Sequence, residues 1–229
     1  MSAYRRHHVL ESLAALSKFL GVYKKFRELR ESYDVKWGQG DSSLLIIRRL
    51  LKAASVGNIV DWAKNVKRKM PVLEAFINFM FASGLRYGEA LSSYNLIIRL
   101  SREKRLSSYY NNGFLEHYRF PKTFIRKTKK AILSIVPENI IESVRDGEPL
   151  TEAAVRRRLQ RKRIPSRFGD IREYWASFMT RYLTPAEIDF LQGRIGGSVF
   201  MQHYFNPALI TDLKTRVFRG LSELQAKIT

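Results

Sequence analysis

"PVLEAFINFMFASGLRYGEAL", residues 71–91, carries the pattern from which the fold can be worked out. Leu73, Phe76, Ile77, Met80 and Phe81 recur at three- and four-residue spacing, which puts them on one face of a helix. Pro71 suits the entry, where its missing N–H is not needed, and Gly84 suits the exit, where the chain turns sharply. The stretch predicts a buried helix, a tight turn at Gly84 and a second helix that starts near Arg86, with Glu89 three residues on along the same face. Taken alone, Arg86 and Glu89 have the spacing of an ion pair at a helix start.

Upstream, "HHVLESLAALSKFLGVYKKFREL" (7–29) places Val9, Leu10, Leu13, Leu16, Phe19 and Leu20 at the spacing of one buried helix face. "YDVKWGQGDSS" (33–43) reads as a linker, and a second helical region begins near Ser43 behind a cap from Asp41, Ser42 or Ser43. Downstream, "GFLEHYRF" (113–120) and "AILSIVP" (131–137) are short and rich in aromatic or β-branched residues, and they flank "PKTFIRKTKK". They predict a β-hairpin with a basic tip. After Pro137 the helical pattern returns in "ENIIESVRDG", "TEAAVRRRLQRK", "DIREYWASFMTRYL", "TPAEIDFLQG" and "PALITDLKTRVFRGLSELQAK", with Thr184 before Pro185 as a strong helix start. The expected class is mainly α with a small β-hairpin (α+β).

Charge narrows the partner. The 229 residues carry 41 Lys and Arg against 21 Asp and Glu, a formal net charge of +20, on a chain 45% hydrophobic and able to bury a core. Such an excess suits a polyanion, because each phosphate neutralised by a cation releases condensed counterions. The excess is also clustered. "RFPKTFIRKTKK" (119–130) has six basic residues in twelve and "RRRLQRKRIPSR" (156–167) has seven, which favours nucleic acid over a merely solvated basic surface. There is no cysteine, so disulfides, thiolate metal sites and cysteine nucleophiles are excluded together. Four scattered histidines form no metal motif, no cofactor is called for, and no run approaches the roughly 20 apolar residues that span a bilayer. The expectation is a soluble, cytoplasmic, DNA-associated protein.

Two further stretches hold candidate chemistry. Arg172 in "GDIREYWASFM" lies at the margin of an apolar helix face, and "LQGRIGGSVFMQHYFNP" (191–207) carries Arg194 and Tyr204 among glycines and an Asn-Pro break. In order, "GLRYGE", the lysine-bearing hairpin, "DIREYWASFM" and "LQGRIGGSVFMQHYFNP" resemble the boxes of tyrosine recombinases (the phage-integrase family), specifically integrases of archaeal viruses and plasmids, over about residues 43–210. The resemblance implies a catalytic domain of that fold over 43–229, preceded over 1–38 by the end of a helical core-binding domain. It implies site-specific integration or excision without metal or cofactor. The Tyr204 hydroxyl attacks a DNA phosphodiester, leaving a 3′-phosphotyrosine and a free 5′-hydroxyl. Arg86 and Arg172 hold the transition-state charge, a hairpin lysine (Lys129 first, then Lys127 or Lys130) protonates the leaving oxygen, and Glu89 braces the site.

The implied DNA-contacting residues are Lys122, Arg126, Arg156, Arg157, Arg158, Arg161, Lys162 and Arg163. The implied partner is an attachment-site duplex, bound by a homo-multimer that forms through the carboxy-terminal helix, whose Leu209, Leu213, Val217 and Leu221 make an apolar stripe able to dock on a neighbour or on its own core. Two departures stand out. Gly169 occupies the place where the family's second box usually has His or Lys, and Arg194 stands where His or Trp commonly precedes the nucleophile segment. Two alternatives stand beside this reading: a catalytically impaired DNA-binding protein of the same fold, which Gly169 favours slightly, and a type IB topoisomerase-like enzyme, which uses the same chemistry without strand exchange.

Overall fold

A computed structural model describes residues 3–37, 47, 51, 58–126, 130–195, 206 and 210–229. The chain divides into two units, Met1–Gly57 and Asn58–Thr229. In the first, helices α1 (Ala3–Phe19) and α2 (Tyr23–Ser32) pack on each other across the turn at Gly21. The apolar stripe expected to be buried is largely open: Leu10 is covered, but Val9, Leu13, Leu16, Phe19 and Leu20 are exposed, Phe19 by 87%. The covered strip is instead Leu10, Ala14 and Ser17, because a two-helix layer can shield only a narrow seam.

The second unit is built around the opening stretch. Helix α3 (Ile59–Lys69) starts at Asn58, whose side chain accepts from the Val60 N–H, and ends at Met70 before Pro71. Helix α4 (Glu74–Ser83) follows a single 3₁₀ turn and packs against α3 and against helices before and after it in the chain. From Phe79 to Ser83 every side chain is buried, so α4 is covered all round rather than on the one face its periodicity predicts. Gly84 closes it at φ 62°, and α5 (Tyr87–Arg102) begins after Arg86, as the sequence indicates.

The sheet has three antiparallel strands, β1 (Tyr110–Asn111), β2 (Phe114–Leu115) and β3 (Ser134–Ile135), with Phe114 opposite Ile135 and Leu115 opposite Ser134. The predicted hairpin is therefore present with much shorter arms. Residues 117–119 form a 3₁₀ turn and Pro121–Phe124 a single helical turn, since proline fixes φ at the helical value and cannot donate to a ladder. A bridge between Ile125 and Lys130 re-forms the pairing at the tip. The strand β1 was not expected, although Asn112-Gly113, at φ 47° and 87°, is the residue pair that a two-residue hairpin turn asks for.

Helices α6 (Glu138–Arg145), α7 (Glu152–Arg161), α8 (Phe168–Met179), α9 (Pro185–Leu191) and α10 (Leu213–Ile228) complete the unit. The stripe on α10 faces inward. Leu213, Val217, Leu221, Leu224 and Ile228 are buried as α10 packs on α3, α4 and α8, so the carboxy-terminal helix spends its apolar face on its own core and does not offer it to a neighbour; Leu209 lies outside the described residues. No helix among the described residues is long and apolar enough to cross a membrane.

Candidate active site

The turn after α4 sets the first arginine. Gly84 has the left-handed backbone that suits glycine, and a Cβ there would stand 2.6 Å from the Trp175 ring, so both conformation and space demand glycine. Two residues on, Arg86 is the N-cap of α5. Glu89 reaches back to accept the Arg86 backbone N–H at 3.2 Å through Oε2 and its guanidinium at 2.8 Å through Oε1. The expected helix-start ion pair is thus real, and it holds the guanidinium at the surface while Glu89 itself is 3% exposed.

Arg172 comes from the middle of α8, which is aligned to α5 by Phe168: its ring stacks on Tyr87 at 4.6 Å and meets Trp62 edge-on. Arg172 is buried, yet its hydrogen bonds run to neutral dipoles. Nη1 donates to the Gly84 carbonyl at 3.0 Å and Nη2 to the Gln192 carbonyl, while the Gln192 side chain returns a bond to the Arg172 carbonyl at 3.1 Å. Burial, and then the neighbouring charge of Arg86, lower its pKa to about 10, with Arg194 adding to the push and Glu89 opposing it. Three arginines from separate segments therefore share one neighbourhood. Arg194 is itself 3.5 Å from Asp189 at the end of α9.

Gly193 joins this site to the hairpin. It closes α9 at φ 64°, and a Cβ on it would overlap the Lys130 carbonyl oxygen, so the hairpin's return strand passes directly over the turn between Gln192 and Arg194. The hairpin is fixed from below by a buried chain of hydrogen bonds. Ser93 Oγ and Tyr109 OH are 2.8 Å apart, Tyr109 OH and His117 Nδ1 2.6 Å, and His117 Nε2 and Ser134 Oγ 2.9 Å. Burial drives His117 down to about 3, which keeps the imidazole neutral and able to donate on one side and accept on the other.

Of the expected site residues, Arg86, Glu89, Arg172 and Arg194 come together. Lys130 lies against Gly193 by its backbone with its side chain exposed. Tyr204, Lys127 and Lys129 lie outside the described residues. Gly169 stands on α8 with open space where a Cβ would be, so no packing demands a glycine there. Among the expected DNA contacts, Lys122 and Arg126 are exposed on the hairpin, and Arg156, Arg157, Arg161, Lys162 and Arg163 are exposed along α7 and just beyond it, with Arg158 half-buried and Val155 and Leu159 anchoring the inner face. Gln192, Asp189 and the Gly84 carbonyl were not anticipated. Gly193 could have been found as the glycine that follows a helix end; nothing in the sequence marks Gln192.

A family model described as archaeal phage integrase matches residues 53–216. The chain belongs to the archaeal phage integrase family. Neither a curated protein nor a solved structure matches it. Membership supports site-specific recombination as the broad role of this integrase and DNA as its partner, and the matched span takes in Arg86, the hairpin, Arg172 and Arg194.

Proposed function

We propose that the chain cuts and rejoins DNA by the tyrosine route. The Tyr204 oxygen forms a bond to phosphorus and gives up its proton to solvent water, while the P–O5′ bond breaks and a hairpin lysine, Lys129 first, supplies a proton to the departing oxygen. Arg86, Arg172 and Arg194 hold the charge that builds on the nonbridging oxygens, and Glu89 orients Arg86.

The observation that carries this reading is the way Arg172 is held. A buried guanidinium next to Arg86 and Arg194, supported by carbonyl oxygens, costs stability and keeps its whole charge. Its bonds go to carbonyl oxygens and not to Glu89 or Asp189, the nearby carboxylates, which is the arrangement expected where an incoming anion is to supply the missing charge.

The test is covalent capture. Nicked duplexes from a random-sequence pool are incubated with the protein, and DNA that resists denaturant with protein attached is selected and amplified. Tyr204→Phe keeps the ring and removes the attacking atom, so it abolishes the adduct and leaves salt-dependent DNA binding in place. An adduct that survives Tyr204→Phe, or maps to another tyrosine, moves the nucleophile elsewhere. If the wild type captures no DNA, the chain binds without cutting, and Gly169→His or Gly169→Lys, for which there is room, is the rescue to try.

A further inference from the structure

Glu89 faces two cations. Its Oε1 accepts from Arg86 Nη1 at 2.8 Å, and the same oxygen lies 3.7 Å from Nη2 of Arg126, which reaches across from the outgoing arm of the hairpin. The second approach is an ion pair by charge and too long for a hydrogen bond. Oε1 already accepts from Arg86 and Oε2 from the Arg86 backbone N–H, and the carboxylate is buried in the first turn of α5. Arg126 is thus drawn to the site by a carboxylate that does not hydrogen-bond it, with its side chain 54% exposed.

From this geometry we infer that Arg126 is a fourth ligand of the reacting phosphate, shared between Glu89 in the free protein and a nonbridging phosphate oxygen in the complex. The inference rests on the cleavage reading above. Charge supports it. Among the described residues, the guanidinium groups of Arg86, Arg126, Arg172 and Arg194 outnumber the carboxylates of Glu89 and Asp189 that they face. A phosphodiester in its ground state carries one negative charge, and the five-coordinate state on the way to cleavage carries close to two. Arg126 adds one positive charge, and one further negative charge is what the phosphate gains on the way to cleavage. The Arg126 side chain is exposed and not hydrogen-bonded to Glu89, so its guanidinium can turn to a phosphate oxygen without breaking a bond to Glu89.

Arg126→Ala separates this role from ordinary backbone binding. On DNA selected by covalent capture with the wild type, single-turnover cleavage is measured at saturating protein, where a simple loss of affinity no longer shows. The variant's saturated rate falls on the order of 10- to 100-fold, somewhat below the loss typical of a fully enclosed transition-state donor. On the same DNA with a methylphosphonate at the cleaved position, where one charged oxygen becomes a neutral methyl, the ratio of wild-type to variant rate shrinks to within about 3-fold, because the charge that Arg126 meets is gone. Arg126→Lys recovers part of the loss on the phosphate. A saturated rate equal to wild type with only a weakened Kd would make Arg126 a flanking contact and overturn the inference while cleavage itself stands. Equal losses on both substrates overturn it too. A wild type that captures no DNA removes the cleavage reading and this inference together.

Discussion

The starts of α5 and α9 use one device to different ends. In each, a glutamate at the third helical position is 3% exposed and reaches back to the N-cap backbone: Glu89 to Arg86 at 3.2 Å, Glu187 to Thr184 at 2.7 Å. In each, the same carboxylate also holds an arginine. At α9 the pairing is complete. Arg216, from the first turn of α10, donates both terminal nitrogens to Glu187 and also grips Asp212 and the Tyr182 carbonyl, while the Thr184 hydroxyl adds a further bond. Hydrogen bonding from Arg216 holds the Glu187 carboxyl below its ordinary value of 4.5. At α5 the pairing is left open: one guanidinium is bonded and a second waits at 3.7 Å. A carboxylate whose arginine is fully bonded is a clasp, whereas one that attracts a second guanidinium without bonding it keeps that cation nearby and exposed.

The most severe way to break the contrast is Arg216→Ala. It strands the buried Glu187 charge and unclasps α10 from α9, so it lowers stability by about 3 kcal/mol in denaturant unfolding. Arg126→Ala, at an exposed and incompletely bonded position, changes it by less than about 0.5 kcal/mol. Equal losses at the two positions would erase the distinction.

Acid titration gives a smaller, graded separation. Glu187 is depressed in the folded state, so its contribution is present above 4.5 and disappears as pH falls through the folded value; Arg216→Ala flattens that part of the stability curve. His117 acts higher. The unfolded chain takes up its proton near 6.5 and the folded chain refuses it until about 3, so stability declines across that window as pH drops, and His117→Gln removes the decline.

A variant that changes stability little sharpens the comparison most. Arg86→Lys keeps an ammonium within reach of Glu89 and shifts unfolding by less than about 1 kcal/mol, yet it removes the planar fork and abolishes adduct formation. Arg172→Lys does the same to the reaction and also costs stability, because one ammonium cannot span the Gly84 and Gln192 carbonyls together. If Arg86→Lys cleaved at the wild-type rate, the open pairing at α5 would be structural after all.

What could be read from the chain divides along local and distant lines. The α4–Gly84–α5 turn, the Thr184 cap and the pairing of Arg86 with Glu89 were legible because each is settled within a few residues by propensity, φ and reach. The basic runs were legible as charge, and α7 does turn Arg156, Arg157 and Arg161 outward over Val155 and Leu159. The apolar residues of α1 are open and those of α10 closed: α10 gathers Leu213, Val217, Leu221, Leu224 and Ile228 on one face and has a layer to cover it, and the presence of such a layer is not written in local spacing. Arg172 looked like an ordinary amphipathic arginine because its partners lie 88 and 20 residues away. Arg126 stood out only as one more basic residue of the hairpin, since nothing in its neighbours announces Glu89.

The contact between Gly193 and the Lys130 carbonyl has a consequence for how this chain can vary. It is backbone against backbone, with no side chain in between to be enlarged, trimmed or recharged. It therefore serves as a datum point that ties the hairpin's return strand to the turn after α9. The loops that join β3 to α6, α6 to α7 and α8 to α9 lie away from this point and are free to lengthen or shorten. A bulkier residue at Gly193 would push the two backbones apart, and no substitution elsewhere restores the contact.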